Sequence, residues 1–202
     1  LINLVLATRN CDKISEIQQF LDSLQVRILT FRDIEDLPII EETGRSLFEN
    51  AFKKAQGISN WTRELALSDD SGLEVDYLNG APGVFSSRFA GEEASYDDNN
   101  SKLLELLRDV PEEKRTARFR CVMVLYFPEG THKRFDGVLG GRITASKRGI
   151  CGFGYDPIFL VPELGKTLAE LDSSEKNTIS HRGKALMKVL KFLKKGPCEK
   201  RG

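Results

Sequence analysis

The sequence predicts an α/β protein, and three stretches carry that expectation. Ile2-Asn3-Leu4-Val5-Leu6-Ala7 is a nearly continuous apolar run suited to a buried strand, and a polar turn and an amphipathic helix follow it. Leu65-Ala66-Leu67 is a second run of strand character, ending abruptly in Ser68-Asp69-Asp70-Ser71-Gly72. From Ala117 to Phe127, apolar residues at every second position predict a long strand with one face in the core.

The 202 residues suit one domain of two lobes, expected over 1–195 with a frayed tail at 196–202. Hydrophobic content of 40% supports a substantial core. Thirty basic and thirty acidic side chains cancel, so no bulk field draws nucleic acid or an anionic membrane; anion affinity must be local. Four scattered cysteines (Cys11, Cys121, Cys151, Cys198) and two histidines do not make a structural zinc site and suit a reducing compartment. No apolar run approaches the ~20 residues of a membrane span and no signal peptide precedes the first strand, so a cytoplasmic location is expected.

In chain order, Thr8-Arg9-Asn10-Cys11-Asp12-Lys13 is a polar turn, after which Ile14, Ile17, Leu21 and Leu24 recur at helical spacing. A loop at a helix N-terminus offers free N–H groups and a favourable dipole to a phosphate, and Lys13 adds a charge. The same residues serve equally as a helix cap beside a solvated lysine. Val26–Leu29 reads as a strand. Ser46-x-x-Glu49 reads as a capping box opening a helix whose core positions are Leu47, Ala51, Ala55 and Ile58, with Asn50 and Lys54 sharing a face. Glu41 or Glu42, just before it, is a candidate metal ligand, though such acids also suit a helix N-terminus.

Asp69 and Asp70 would sit at the carboxyl end of a strand, where open α/β sheets bind ligands. Adjacent strand residues point to opposite faces, so one acid can meet a ligand while the other braces the turn. Two neighbouring acids also require positive charge, from a divalent cation or from lysine and arginine. Taken alone, Asp-Asp-Ser-Gly is equally a turn. Leu73–Tyr77 is expected as a separate extended piece, then a rigid loop at Gly80-Ala81-Pro82-Gly83, then a helix from Asp97 carrying Leu103, Leu104, Leu107 and Val110.

The strand from Ala117 turns at Pro128-Glu129-Gly130 into a hairpin with His132–Val138, and Gly140-Gly141 leads to a third strand near Arg142–Ala145. His132 lies in no motif. In Gly152-Phe153-Gly154-Tyr155-Asp156-Pro157 two glycines bracket an aromatic, so Phe153 can stack on a flat ligand; glycine-rich turns also use aromatics as core plugs. The last helix begins after Ser180 with Ala185, Leu186, Val189, Leu190 and Leu193 buried. Lys176, Asn177, His181 and Arg182 precede or open it, a placement that opposes the dipole and asks for an anion.

Together these segments resemble the inosine triphosphate pyrophosphatase family, the non-canonical purine NTP pyrophosphatases, in its bacterial form. The matches are Thr8-x-Asn10-x-x-Lys13, Glu41-Glu42-Thr43-Gly44 with Glu49-Asn50-Ala51-x-x-Lys54-Ala55, Ser68-Asp69-Asp70-Ser71-Gly72-Leu73, Gly80-Ala81-Pro82-Gly83, Gly152–Pro157 and Ser180-His181-Arg182-Gly183. Arg9 stands where the family usually carries a smaller residue. The resemblance implies an elongated mixed sheet with flanking helices in two lobes around a nucleotide-binding cleft, and a homodimer. It implies Mg²⁺-dependent hydrolysis of ITP, dITP and XTP to monophosphate and pyrophosphate. Asp70 then matches the proton acceptor and a metal ligand, with Glu42 a second metal-site acid and Asp69 a support or further ligand. Thr8, Asn10, Lys13, Lys54 and Ser71 match triphosphate contacts, and Arg9, Cys11 and Asp12, lying among them, are expected to be substrate-binding residues of the same loop. Phe153, Gly154, Tyr155, Asp156, Lys176, His181 and Arg182 match the base and sugar pocket. Rival readings are a Maf-like hydrolase of other triphosphates, a catalytically idle nucleotide-binding scaffold and a phosphomonoesterase; a substrate panel that identifies both products separates them.

Overall fold

The computed structural model describes residues 2–195; the expected frayed tail at 196–202 lies outside the described residues. Seven strands form one mixed sheet in the order β2-β1-β3-β4-β5-β6-β7. They are β1 (Ile2–Leu6), β2 (Val26–Leu29), β3 (Leu65–Val75), β4 (Thr116–Tyr126), β5 (His132–Ile143), β6 (Phe159–Val161) and β7 (Lys166–Thr167). The helices are α1 (Cys11–Leu21), α2 (Leu47–Thr62), α3 (Tyr96–Leu106), α4 (Ser173–Ile179) and α5 (His181–Lys194). β1 runs parallel to β2 and β3, whereas β6 is antiparallel to both β5 and β7. No described helix is long and apolar enough to cross a membrane.

The chain divides into two compact units. Unit 1 comprises Leu1–Asp70, Cys121–Gly137 and Gly183–Gly202; unit 2 comprises Ser71–Arg120 and Val138–Arg182. In unit 1 the two-residue period of the strands sorts the core. Leu4, Leu6, Leu65 and Leu67 pack with Ile14, Ile17 and Leu21 of α1 and Ala185, Leu186 and Val189 of α5. Val5, Ala7 and Ala66 point the other way and pack with Ile58 of α2 and Leu37. In unit 2, Leu73 and Val75 join Leu103, Leu107, Phe119, Ile143, Ile158 and Phe159 in a separate core.

β3 corrects an expectation. It does not end at the acids but runs unbroken for 11 residues, through Ser68-Asp69-Asp70-Ser71-Gly72 to Val75. Asp and Ser favour turns because their side chains compete for nearby backbone. Here each has a distant partner instead. Ser68 donates to the Ala51 carbonyl, Asp69 pairs with Lys13, Asp70 accepts from Asn50, and Ser71 accepts from Arg182. Relieved of that competition, the backbone continues the strand.

β5 likewise passes straight through Gly140-Gly141, beyond which a separate third strand was expected. A Cβ on Gly141 would lie 2.4 Å from the Leu160 carbonyl oxygen and 2.6 Å from the Phe159 ring, so this glycine admits β6 rather than making a turn. α1 stops at Leu21, short of Leu24, and α3 stops at Leu106, although Leu107 and Val110 stay buried beyond it. The Ser46 box is half as expected: Ser46 Oγ accepts from the Glu49 N–H, but the Glu49 carboxylate accepts from Arg45 rather than Ser46. The short elements β6, β7 and α4 have no counterpart in the expectation. Lys176 therefore lies in the last turn of α4, where the dipole favours a cation, and not at the start of the final helix.

Candidate functional site

In unit 1 the parity of β3 separates the two acids. Asp69 shares the side of Leu65 and Leu67, which faces α1, and its Oδ2 lies 3.0 Å from Lys13 Nζ. Asp70 shares the side of Ala66 and Ser68, which faces α2, and its Oδ2 accepts from Asn50 Nδ2 at 3.0 Å. Lys54, one helical turn after Asn50, donates to the Asp69 carbonyl at 2.7 Å and to Glu42 Oε1 at 2.6 Å, and stands 4.0 Å from Asp70 Oδ1. Asp69 is 0% exposed and Asp70 is 6% exposed, so neither charge is tolerable without these partners. Burial pushes the Asp70 carboxyl above its ordinary value of 3.8; Lys54 and Lys13 pull it back, Glu42 adds to the rise, and the Asn50 bond lowers it.

The Thr8–Lys13 loop enters this cluster through α1. Asn10 caps the helix, its Oδ1 accepting the Lys13 N–H at 3.1 Å, and Thr8 Oγ1 accepts the Asn10 N–H at 3.3 Å. Cys11 and Asp12 occupy the first turn, and Arg32 donates to Cys11 Sγ at 3.1 Å. Arg9 is turned to other work. It donates to the Leu37 carbonyl at 2.7 Å and lies 5.5 Å from the centre of the Phe31 ring, which Arg32 also approaches at 5.4 Å.

The cluster of unit 2 is built on the loop before β6. Asp156 Oδ2 accepts the Phe153 N–H at 3.0 Å and Lys176 Nζ at 2.7 Å. Gly152 must be glycine on two counts: its φ is +75°, and a Cβ would fall 2.1 Å from Asp156 Oδ2. Lys176 Nζ stands 4.6 Å and Arg182 Cζ 5.4 Å from the Phe153 ring centre, both within cation–π range. Arg182 also donates to Ser71 Oγ at 3.4 Å. His181 stacks on Phe119 with centroids 4.6 Å apart.

Tyr155 serves the core of unit 2. Its hydroxyl donates to the Ser86 carbonyl at 2.8 Å, and burial pushes its ionisation well up. Two residues to which the sequence assigns no role support this loop: Asn100 donates to the Gly154 carbonyl at 2.9 Å, and the Tyr96 ring lies 6.0 Å from Phe153. Both lie on α3, and the four-residue spacing from Tyr96 to Asn100 is the one sequence cue that they share a face.

Among the described residues no three His, Cys, Asp or Glu side chains gather to hold a metal ion. Glu42 and Asp70 both approach Lys54 Nζ, at 2.6 Å and 4.0 Å, and could offer carboxylate oxygens to a hard cation. His132 belongs to an aromatic group with Phe52 and Tyr126, its ring centre 5.0 Å from that of Phe52.

Comparison with known proteins places these segments in context. The family model described as Ham1 family matches residues 4–192. A dITP/XTP pyrophosphatase from Geobacter sulfurreducens is 52% identical over 183 residues, covering 91% of this chain and 92% of its own. One from Desulforamulus reducens is 48% identical over 192 residues, covering 95% and 96%. Among solved structures, a HAM1 protein from Coxiella burnetii superposes with a TM-score of 0.90 at 42% identity, covering 97% of this chain and all 100% of that one. The Staphylococcus aureus Ham1 protein gives 0.86 at 37% identity, covering 96% and 98%.

Proposed function

This chain belongs to the Ham1 family, and from that membership we propose that it hydrolyses deaminated purine nucleoside triphosphates, dITP, ITP and XTP, to the monophosphate and pyrophosphate. The observation that carries the reading is the charge balance of the unit 1 cluster. Lys13 and Lys54 stand against Asp69, Asp70 and Glu42, two ammoniums among three carboxylates in one cluster. A triphosphate brings more negative charge to it. The residues present fit Mg²⁺, which is ordinarily held by one or two carboxylates plus substrate phosphates. Asp70 and Glu42 would hold it, and when bound it supplies charge neutralisation on the phosphate oxygens and acidifies water.

The remaining chemistry belongs to the chain. Burial makes Asp70 a stronger base than an exposed carboxylate, which suits it to accept the proton of the attacking water. Lys13, Lys54 and the N–H groups opening α1 meet the charge that collects on the phosphates and the leaving pyrophosphate. Asp69, fully buried against Lys13, holds that ammonium in place.

The unit 2 cluster suits the base. Phe153 offers a stacking face, and Lys176 and Arg182 carry only donors. Hypoxanthine and xanthine present a keto oxygen at C6, whereas adenine presents an amino donor there. A donor left facing a donor costs ~1–3 kcal/mol, which is roughly 5-fold to 150-fold in preference.

A panel of dITP, ITP, XTP, GTP, ATP, dTTP and UTP assayed with Mg²⁺, both products identified, tests this directly. Monophosphate and pyrophosphate from the deaminated purines are expected. Orthophosphate as the product, or preference for a pyrimidine, would overturn the reading.

A further inference from the structure

We propose that Asn50 is a positioning residue for hydrolysis, acting through Asp70 and through the loop that carries Glu42; this rests on the reading of Asp70 as proton acceptor. Asn50 is 0% exposed in the first turn of α2, between core positions Leu47 and Ala51. An apolar residue would fill such a place at no polar cost, so a buried amide there calls for partners. It has them at both ends. Oδ1 accepts the Gly44 N–H at 2.7 Å, and Nδ2 donates to Asp70 Oδ2 at 3.0 Å.

The two bonds fix the amide. A backbone N–H can meet only the amide oxygen, so the NH₂ group must face the carboxylate. The carboxylate is fixed in turn, because a donor on Oδ2 leaves Oδ1 on the side of Lys54, 4.0 Å away. Gly44 makes the close approach possible: a Cβ there would lie 2.5 Å from Asn50 Oδ1 and 2.8 Å from Glu49 Cβ. Gly44 lies two residues beyond Glu42. One side chain thus ties together the strand bearing Asp70 and the loop bearing Glu42, the two carboxylates that meet at Lys54.

Three variants separate positioning from packing. Asn50→Asp keeps an acceptor for Gly44 but sets a carboxylate against Asp70; Asn50→Leu removes both bonds. The reciprocal exchange, Asn50→Asp with Asp70→Asn, restores the bond with donor and acceptor reversed. With ITP and Mg²⁺, Asn50→Leu is expected to lower kcat about 30-fold with KM changed less than about threefold, the scale of losing an orienting partner. On the Asp70→Asn background the same change should cost much less, only the part that acts through the Glu42 loop, since the other residue it acts through is gone.

Melting without metal or nucleotide supplies the second readout. Asn50→Asp should lower Tm, and the exchange should recover it while remaining inactive. Unchanged kcat in folded Asn50→Leu, or an equal further loss on the Asp70→Asn background, overturns the proposal, as does an exchange that melts no higher than Asn50→Asp. Should Asn50→Leu not fold, the exchange decides alone. Wild-type protein that leaves ITP intact would defeat the functional reading instead, and the melting comparison would still report on Asn50.

Discussion

The clusters of the two units are assembled from similar parts with opposite balances. In unit 1 two ammoniums, Lys13 and Lys54, meet three carboxylates through ion pairs and charge-assisted hydrogen bonds. In unit 2 Lys176 pairs with the Asp156 carboxylate, Arg182 donates to Ser71, and both cations lie over the Phe153 ring. Buried ions need partners in both places, yet the surplus differs in sign. Carboxylates and ammoniums beside a helix N-terminus suit a metal-bound phosphate chain. Donors over an aromatic face suit a flat, acceptor-bearing ring. That contrast is what the proposed function draws on.

The largest break in this comparison comes from Asp70→Asn, which leaves the shape and removes the base. Release of pyrophosphate from ITP should fall about 1,000-fold, within the range for loss of a general base. Stability should move the other way. Burial raises the Asp70 carboxyl, so its ionisation works against the fold; the relief is complete below the ordinary value of 3.8 and is lost as pH rises through the higher folded value. Without metal, the variant should therefore melt no lower than wild type at pH 7, and the difference should shrink on acidification towards 3.8. Retention of most turnover would remove Asp70 from its role.

Arg182→Ala acts on the other cluster and should act on choice rather than speed. The ITP over ATP preference, read as a ratio of kcat/KM, should narrow about tenfold, the value of one mispaired donor. Loss of kcat on both substrates with the ratio intact would mean that unit 2 does not read the base at C6.

Much of this was legible from residue order. The β1 run, the α1 and α2 periods, the sharing of a face by Asn50 and Lys54, and the alternation of β4 all follow from local periodicity, which the tertiary structure leaves in place. The misreadings fall where distant partners decide. Asp-Asp-Ser-Gly looks like a turn because its side chains usually serve their own backbone, and nothing local announces that Lys13, Asn50 and Arg182 claim them. Gly140-Gly141 looks like a break because the approach of β6 is invisible from β5. The pairing of Lys176 with Asp156 spans 20 residues and depends on α4, too short to show a period. The contacts of the Arg9 guanidinium with Leu37 and Phe31 are likewise not announced by its neighbours in sequence.

The smallest expected effect sharpens the comparison through the helices that present the two lysines. Lys13 sits on α1, capped by the uncharged Asn10; Lys176 sits on α4, capped by Asp172, whose carboxylate accepts the Glu175 N–H at 2.8 Å. The Glu175 N–H and the Ser174 hydroxyl hold the Asp172 carboxyl below its ordinary value of 3.8. That cap's charge-dependent contribution is therefore present above 3.8 and lost as pH falls through the lower folded value. The cap of α1 has no such dependence. Amide exchange protection around Glu175 and Lys176, compared between wild type and Asp172→Asn, should match closely at pH 7, because asparagine caps as well as aspartate. Below 3.8 only wild type should lose protection in α4, while α1 stays level in both proteins. Equal losses in both proteins would show that the α4 cap is not what acid releases, and the contrast between a titrating and a non-titrating lysine support would disappear.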